Sequence, residues 1–197
     1  LPAGVAAAMS HLGFAMSLWE RNLDEGRQWL ERALVTYRRA GNRRMEGLAL
    51  ARLANLEQVA DNAVRAERLA ARAAVLLERV EGFLPWVLGV RADALLQLGR
   101  LAQARAEIER AVEMLARVAG SVYSSSPMLA VLGEVRRASG DVAGARAAMR
   151  RSADAIRERA ARISDPEWRA QYLRMPGNQR ILKLAEAWAG NAPAHPG

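Results

Sequence analysis

Residues 88 to 115 read "LGVRADALLQLGRLAQARAEIERAVEML". Two apolar helical patterns of about a dozen residues each are separated by Leu98-Gly99-Arg100, and each pattern carries a small residue where the two would cross, Ala92 and Ala104. The stretch "LGEVRRASGDVAGARAAMRRSADAI", residues 132 to 156, repeats this layout with Gly133, Gly140 and Ala145 in the corresponding places. Working toward the N-terminus, Leu12-Gly13 and Leu53-Ala54 open two more such units. The small anchors Gly13, Ala54, Ala92 and Gly133 therefore recur at spacings of 41, 38 and 41 residues. A repeat of that length, built from paired helical segments, means stacked helical hairpins rather than a fold wrapped around one enclosed pocket.

Each recurring residue has a physical reason. Helices packed as a hairpin approach to about 8–10 Å, and a Gly or Ala at the crossing lets the backbones come that close. The chain must then leave the first helix through a permissive conformation, which Gly99 and Gly140 provide without a Cβ penalty. The second unit has Ala60-Asp61-Asn62 there, and Asp or Asn is the usual substitute where φ turns positive. The first unit, "LWERNLDEGRQWL", holds one residue more between anchor and second helix, so its turn is the least regular.

These residues resemble tetratricopeptide (TPR) repeats, over about residues 5 to 160. The resemblance implies an all-α, right-handed superhelical solenoid of about four helical hairpins plus C-terminal capping helices. The repeat is longer than the common TPR of about 34 residues. In that it is similar to the C-terminal sensor regions of large bacterial ATP-dependent transcription activators and multidomain signalling proteins. The tail "RISDPEWRAQYLRMPGNQRILKLAEAW" is similar to the C-terminal cap of those regions. The expected function is a protein-protein interaction or effector-sensing module, a fragment of a larger bacterial transcriptional regulator or signalling protein.

Helical periodicity and turn signals predict repeats at about 5–40, 43–80, 84–118 and 127–163, capping helices over 164–189 and a disordered tail over 190–197. Gly41-Asn42 closes the first repeat, and Pro85 sits in the first turn of its helix, where a missing N–H is harmless. "AGSVYSSSP", residues 119–127, reads as the one true loop, with Ser126 as N-cap and Pro127 as first helical residue. Asp165-Pro166 starts a short helix, Met175-Pro176-Gly177 breaks it, and Asn178 caps the last one. Tyr172, Leu173, Ile181, Leu182, Leu184, Ala185 and Trp188 are spaced to cover the apolar end that a stack would otherwise expose.

The formal charge is +8, but Lys183 is the only lysine among 29 basic residues. Arginines interspersed with Glu and Asp at helical distances read as solvated faces of a protein from a GC-rich genome. A basic stretch, Arg150, Arg151, Arg157, Arg159 and Arg162, is the exception and keeps a nucleic-acid-binding solenoid open as the alternative. The chain has no cysteine, which removes disulfides and thiolate chemistry and favours a cytoplasmic location. The uncharged stretch from Leu1 to Trp19 reads as the first repeat helix, not a membrane span or signal peptide.

No nucleophile, base and orienting group fall together, and no phosphate-binding glycine loop is present. No enzyme activity, cofactor or metal is expected; His195 lies in the tail, and His11 has no carboxylate at helical spacing. The working surface implied by the resemblance is the concave groove lined by the first helix of each hairpin. Carrying those positions over gives His11, Phe14 and Ser17, then Arg52, Asn55 and Gln58, then Trp86, Asp93 and Gln97, and finally Glu134 and Arg137. Such a mixture of hydrogen-bonding and aromatic side chains suits a protein or peptide ligand, or another domain of the parent chain; self-association is also open. The family's clamp for a C-terminal carboxylate is not reproduced, because Ala51 stands where a lysine is expected and only Asn55 matches.

Overall fold

The computed structural model describes residues 3–20, 22–80, 82–117 and 125–190. Among them are ten helices and no strand, in two compact units. The first unit holds three hairpins: α1 (Ala3–Leu18) with α2 (Leu23–Arg39), α3 (Arg43–Val59) with α4 (Ala63–Leu77), and α5 (Leu84–Gln97) with α6 (Leu101–Arg117). The second holds the hairpin of α7 (Ser125–Ala138) and α8 (Val142–Ala161), followed by α9 (Pro166–Arg174) and α10 (Pro176–Gly190). None of the described helices is long and apolar enough to cross a membrane.

The hairpin crossings are where the anchors put them. A Cβ on Gly13 would lie 2.5 Å from the Gly26 carbonyl oxygen and 2.7 Å from Leu30 Cγ, so α1 and α2 touch backbone to backbone there. Ala54 and Ala92 are fully buried. At Gly133 the approach to α8 is looser, with the Ala145 carbonyl oxygen 3.1 Å from the site of a Cβ.

Four turns share one hydrogen-bond pattern. Asn42 N–H donates to Tyr37 O, Asn62 to Glu57 O, Arg100 to Leu95 O and Asp141 to Arg136 O, at 2.8–3.0 Å. Each spans five residues and follows a left-handed residue, Gly41, Asp61, Gly99 or Gly140, with φ of +64°, +56°, +72° and +85°. That is the Schellman ending, which satisfies carbonyls a helix leaves orphaned. The first turn departs from it, with both Glu20 and Asn22 at positive φ. Asn42, Asn62, Asp141 and Asp165 then cap the helices that follow, each side chain accepting from the N–H three residues on.

Two local expectations are corrected. Ser126 is no N-cap: α7 already runs at Ser125, and the buried Ser126 hydroxyl lies 3.1 Å from Ser152 Oγ, tying α7 to α8. Asn178 lies inside α10, which Pro176 opens; its side-chain amide donates to Tyr172 O at 2.8 Å and joins α10 to α9. Proline is at home in a first turn, so the helix begins three residues earlier than the asparagine suggests. Most of the loop expected at 119–127, and the tail with His195, lie outside the described residues.

The second unit closes its own end. Ile181 and Trp188 of α10 are buried with Ala130, Ala145, Met149 and Ile156, and Tyr172, Leu173, Leu182, Leu184 and Ala185 pack around them.

Candidate functional site

In the first unit, α3 packs against both α1 and α5, so the first helices of its three hairpins form one continuous layer. The expected groove residues meet in the seams of that layer. Between α1 and α3, Arg52 donates from Nη1 to Ser10 Oγ at 2.8 Å and from Nη2 to His11 Nδ1 at 3.3 Å. Its guanidinium carbon lies 5.3 Å from the Phe14 ring centroid, within cation–π range. Asn55 Nδ2 donates to Ser17 Oγ at 3.3 Å, and Ser17 donates to Phe14 O at 2.7 Å. Phe14 also meets Trp86 of α5 edge to face, ring centroids 5.5 Å apart. Between α3 and α5, Gln58 Nε2 donates to Asp93 Oδ2.

These residues differ in depth. His11 and Gln97 are exposed, Phe14, Asn55 and Gln58 half-buried, and Arg52, Trp86 and Asp93 buried. In the second unit, Glu134 is half-buried and Arg137 exposed, its guanidinium 4.8 Å from the Trp188 ring centroid.

Arg52 is the unusual member. It is 4 % exposed, none of the ion pairs among the described residues includes it, and its buried Nε has no hydrogen-bond partner. A guanidinium has no acceptor, so His11 Nδ1 must be unprotonated to receive its bond. Partial burial and then the Arg52 charge hold the His11 imidazole below its ordinary value of 6.5. Among the described residues, the Tyr37 hydroxyl on α2 is the other buried side-chain polar atom without a partner. Burial raises its phenol, and the Arg52 charge opposes that rise, which places the phenol within the field of the guanidinium.

The opposite flank of α3 carries the reverse arrangement, which the sequence reading missed. Glu57, 1 % exposed, is met by Arg27 Nε at 2.7 Å, Arg65 Nη1 at 3.3 Å and Asn62 Nδ2 at 3.2 Å. The bond to Glu57 raises the Arg27 guanidinium against the effect of burial. Farther along, Arg91 bridges Glu67 at 3.1 Å and Glu107 at 2.6 Å. Arg27–Glu57 and Arg91–Glu67, together with Arg65–Glu31 at 2.6 Å, join neighbouring hairpins across 24 to 34 residues, whereas Arg91–Glu107 joins the two helices of one hairpin.

The arginines of α8 form no single stripe. At 100° per residue, Arg150 and Arg157 share one side, Arg151 and Arg162 lie about 100° away, and Arg159 is farther round still. Arg157 pairs with Asp154 at 3.1 Å. No His/Cys/Asp/Glu cluster able to hold a metal occurs among the described residues.

Among solved structures, the chain is similar to the nearly identical TPR-like repeats of a kinesin light chain-like protein of Podosopora anserina. The match covers 96% of this chain and 97% of that one, with a TM-score of 0.62 and 16% identity. The fold is a TPR-like helical-hairpin repeat. A point variant of the same repeats matches with a TM-score of 0.60 and 15% identity, over 93% of this chain and 94% of that one. No protein-family model and no curated protein sequence matches the chain.

Proposed function

We propose that this TPR-like chain is a protein-interaction module that captures an acidic peptide segment on the α1–α3–α5 layer of its first unit. The observation that carries the reading is Arg52, a buried cation without a carboxylate. Burying an unpaired charge costs several kcal/mol, and the Ser10, His11 and Phe14 contacts offset only part of that cost. A peptide carboxylate that displaced the long His11 contact would gain a charge-assisted bond. The half-buried Phe14 beside it, backed edge to face by the buried Trp86, offers an apolar contact to an extended peptide. The near-exclusive use of arginine and the resemblance of the tail support a place in a larger bacterial regulatory protein, where the module senses a partner or effector in the cytoplasm. Catalysis has no support in the arrangement of these side chains.

A nucleic-acid reading rests on the net charge of +8 and on exposed Arg150, Arg151, Arg159 and Arg162, for which no ion pair is seen among the described residues. Their spread around α8 gives no continuous track for a phosphate backbone.

Selection from a random peptide display library separates the two. Enriched peptides should carry Asp or Glu beside an apolar residue, and should lose binding to Arg52→Met but not to Arg150→Ala/Arg151→Ala. Enriched peptides that bind Arg52→Met as well as the unaltered chain would refute the proposal. DNA or RNA binding that falls steeply with salt and disappears in the α8 variant would establish the second reading.

A further inference from the structure

We infer that the outer faces of α2 and α4 together form a second docking surface, which takes an acidic amphipathic helix of a partner protein. The surface is separate from the Arg52 site, which lies among the first helices of the hairpins. It emerges when α2 is set against α4 in repeat register. Burial fixes that register: Gly26, Leu30, Ala33 and Tyr37 of α2 match Ala66, Ala70, Ala73 and Leu77 of α4, all buried. Of the 17 residues of α2, only four are then identical in the second helix. One is the buried pair Ala33 and Ala73. The other three pairs, Arg32 with Arg72, Val35 with Val75 and Arg39 with Arg79, are exposed. A stacked repeat ordinarily keeps its core, because stacking depends on it. Here the core has changed and the solvent side is kept.

Helix stability does not account for these residues. Valine is a weaker helix former than alanine on a solvated face, yet Val35 is 45 % exposed and Val75 72 %. Arg68 adds a like charge one turn before Arg72, a spacing at which like charges destabilise a helix. For Arg39, Arg68, Arg72 and Arg79 no ion pair is seen among the described residues, and Arg32 lies over the Trp29 ring of its own helix, 5.1 Å from the centroid. Nor does stacking cover the surface. The corresponding residues of α6, Arg110, Glu113 and Arg117, and of α8, Arg151, Asp154 and Glu158, are exposed too. In those helices an acid replaces the valine, and Glu113 pairs with Arg117 and Asp154 with Arg157. They are solvated faces, and the docking surface ends at α4.

The residue types and their spacing select the occupant. Uncountered guanidinium groups call for carboxylates, and the valine between each pair of arginines calls for an apolar side chain. On α2, Arg32 and Arg39 are about 10.5 Å apart along the axis, with Val35 between them and all three within about 60° on the side opposite the buried face. A partner helix with acids seven residues apart and apolar residues three and four after the first matches that repeat. The 2.6 Å bond from Arg65 of α4 to Glu31 of α2 holds the two helices together, which brings both stripes within reach of one such helix. A phosphate backbone would press charge onto the valines, and neither stripe holds an aromatic residue on which a base could stack. A second copy of the chain is disfavoured, because both carry a formal charge of +8.

Fluorescence anisotropy with a designed probe tests the inference. The probe is a labelled helical peptide of about three heptads, with Glu every seventh residue and Leu three and four after each Glu, and its control is a scramble of the same composition. The full chain should bind the probe and not the scramble. Val35→Ala/Val75→Ala should raise the urea midpoint, since alanine is the better helix former, and still weaken binding by about tenfold. Arg39→Gln/Arg79→Gln should weaken it by at least about tenfold, whereas Arg110→Gln/Arg117→Gln on α6 should leave it unchanged. No binding, equal binding of the scramble, an affinity indifferent to the valine pair, or a loss in Arg52→Met but not in the arginine pair would each overturn the inference. A lowered midpoint in the valine variant would make those residues structural and overturn it as well. So would polyuridine RNA or phosphatidylserine vesicles that bind more tightly than the probe and ignore the valine pair, since the stripes would then be a phosphate surface.

Discussion

Five residues apart on α3, two buried charges have opposite surroundings. Glu57 is saturated by Arg27, Arg65 and Asn62, whereas Arg52 has a serine, a histidine and an aromatic face but no carboxylate. The first arrangement ties α2, α3 and α4 together and has little left to offer a ligand. In the second, no carboxylate is among the contacts of the cation, and the proposed acidic peptide would supply one. Both charges are buried; what separates them is the set of partners around each.

The largest effect on stability should come from Glu57→Leu, which strands two arginines. Breaking a fully buried pair costs about 3–5 kcal/mol. Because Arg27 and Arg65 remain 22% and 34% exposed, the loss should be nearer about 2–3 kcal/mol in urea unfolding. A Glu57→Leu chain as stable as the original would erase the contrast between the two flanks.

Next comes the division of labour around Glu57. Arg27→Ala removes the 2.7 Å bond and should cost about 1–2 kcal/mol. Arg65→Ala removes a 3.3 Å contact and should cost about half as much. Reversal of that order would mean that Arg65 is the main counter-ion.

Arg52→Met should stay within about 1 kcal/mol of the original and lean toward greater stability, since it replaces an unneutralised buried charge with an apolar side chain of similar length. A loss of several kcal/mol would show that Arg52 is as structural as Glu57.

The smallest effect is that of pH. The folded-state value of His11 is depressed, so folding favours the neutral ring. Its contribution is complete above the unfolded value of about 6.5 and is lost as pH falls from there through the folded value. The unfolding midpoint should therefore drop on acidification through that window, and His11→Asn should flatten the drop. An unaltered pH profile in His11→Asn would remove His11 from the Arg52 cluster.

Much of this fold was legible because its signals are local. Gly41, Gly99 and Gly140 end helices in left-handed conformations that their Cβ-free backbones permit, and Asp61 does the same in the turn without glycine. Ser126 and Asn178 were misread because a polar residue next to Pro127, or just after Pro176-Gly177, looks like a cap, while their actual partners, Ser152 and Tyr172 O, belong to other helices. For the site, the distance of Arg52 or Trp86 from its anchor fixes its direction around the helix but not its depth. Depth depends on what the neighbouring hairpin contributes. Glu57 was missed for the same reason: Arg27 lies 30 residues before it, and no local pattern links the two.

The most direct test of the central claim is a calorimetric titration of one library-selected acidic peptide into the unaltered chain and into Arg52→Met, at two salt concentrations. Affinity should fall about tenfold or more in the variant, corresponding to at least about 1.4 kcal/mol, with the helical spectrum unchanged and the salt dependence reduced. Equal affinity and equal salt dependence in the two proteins would contradict the account.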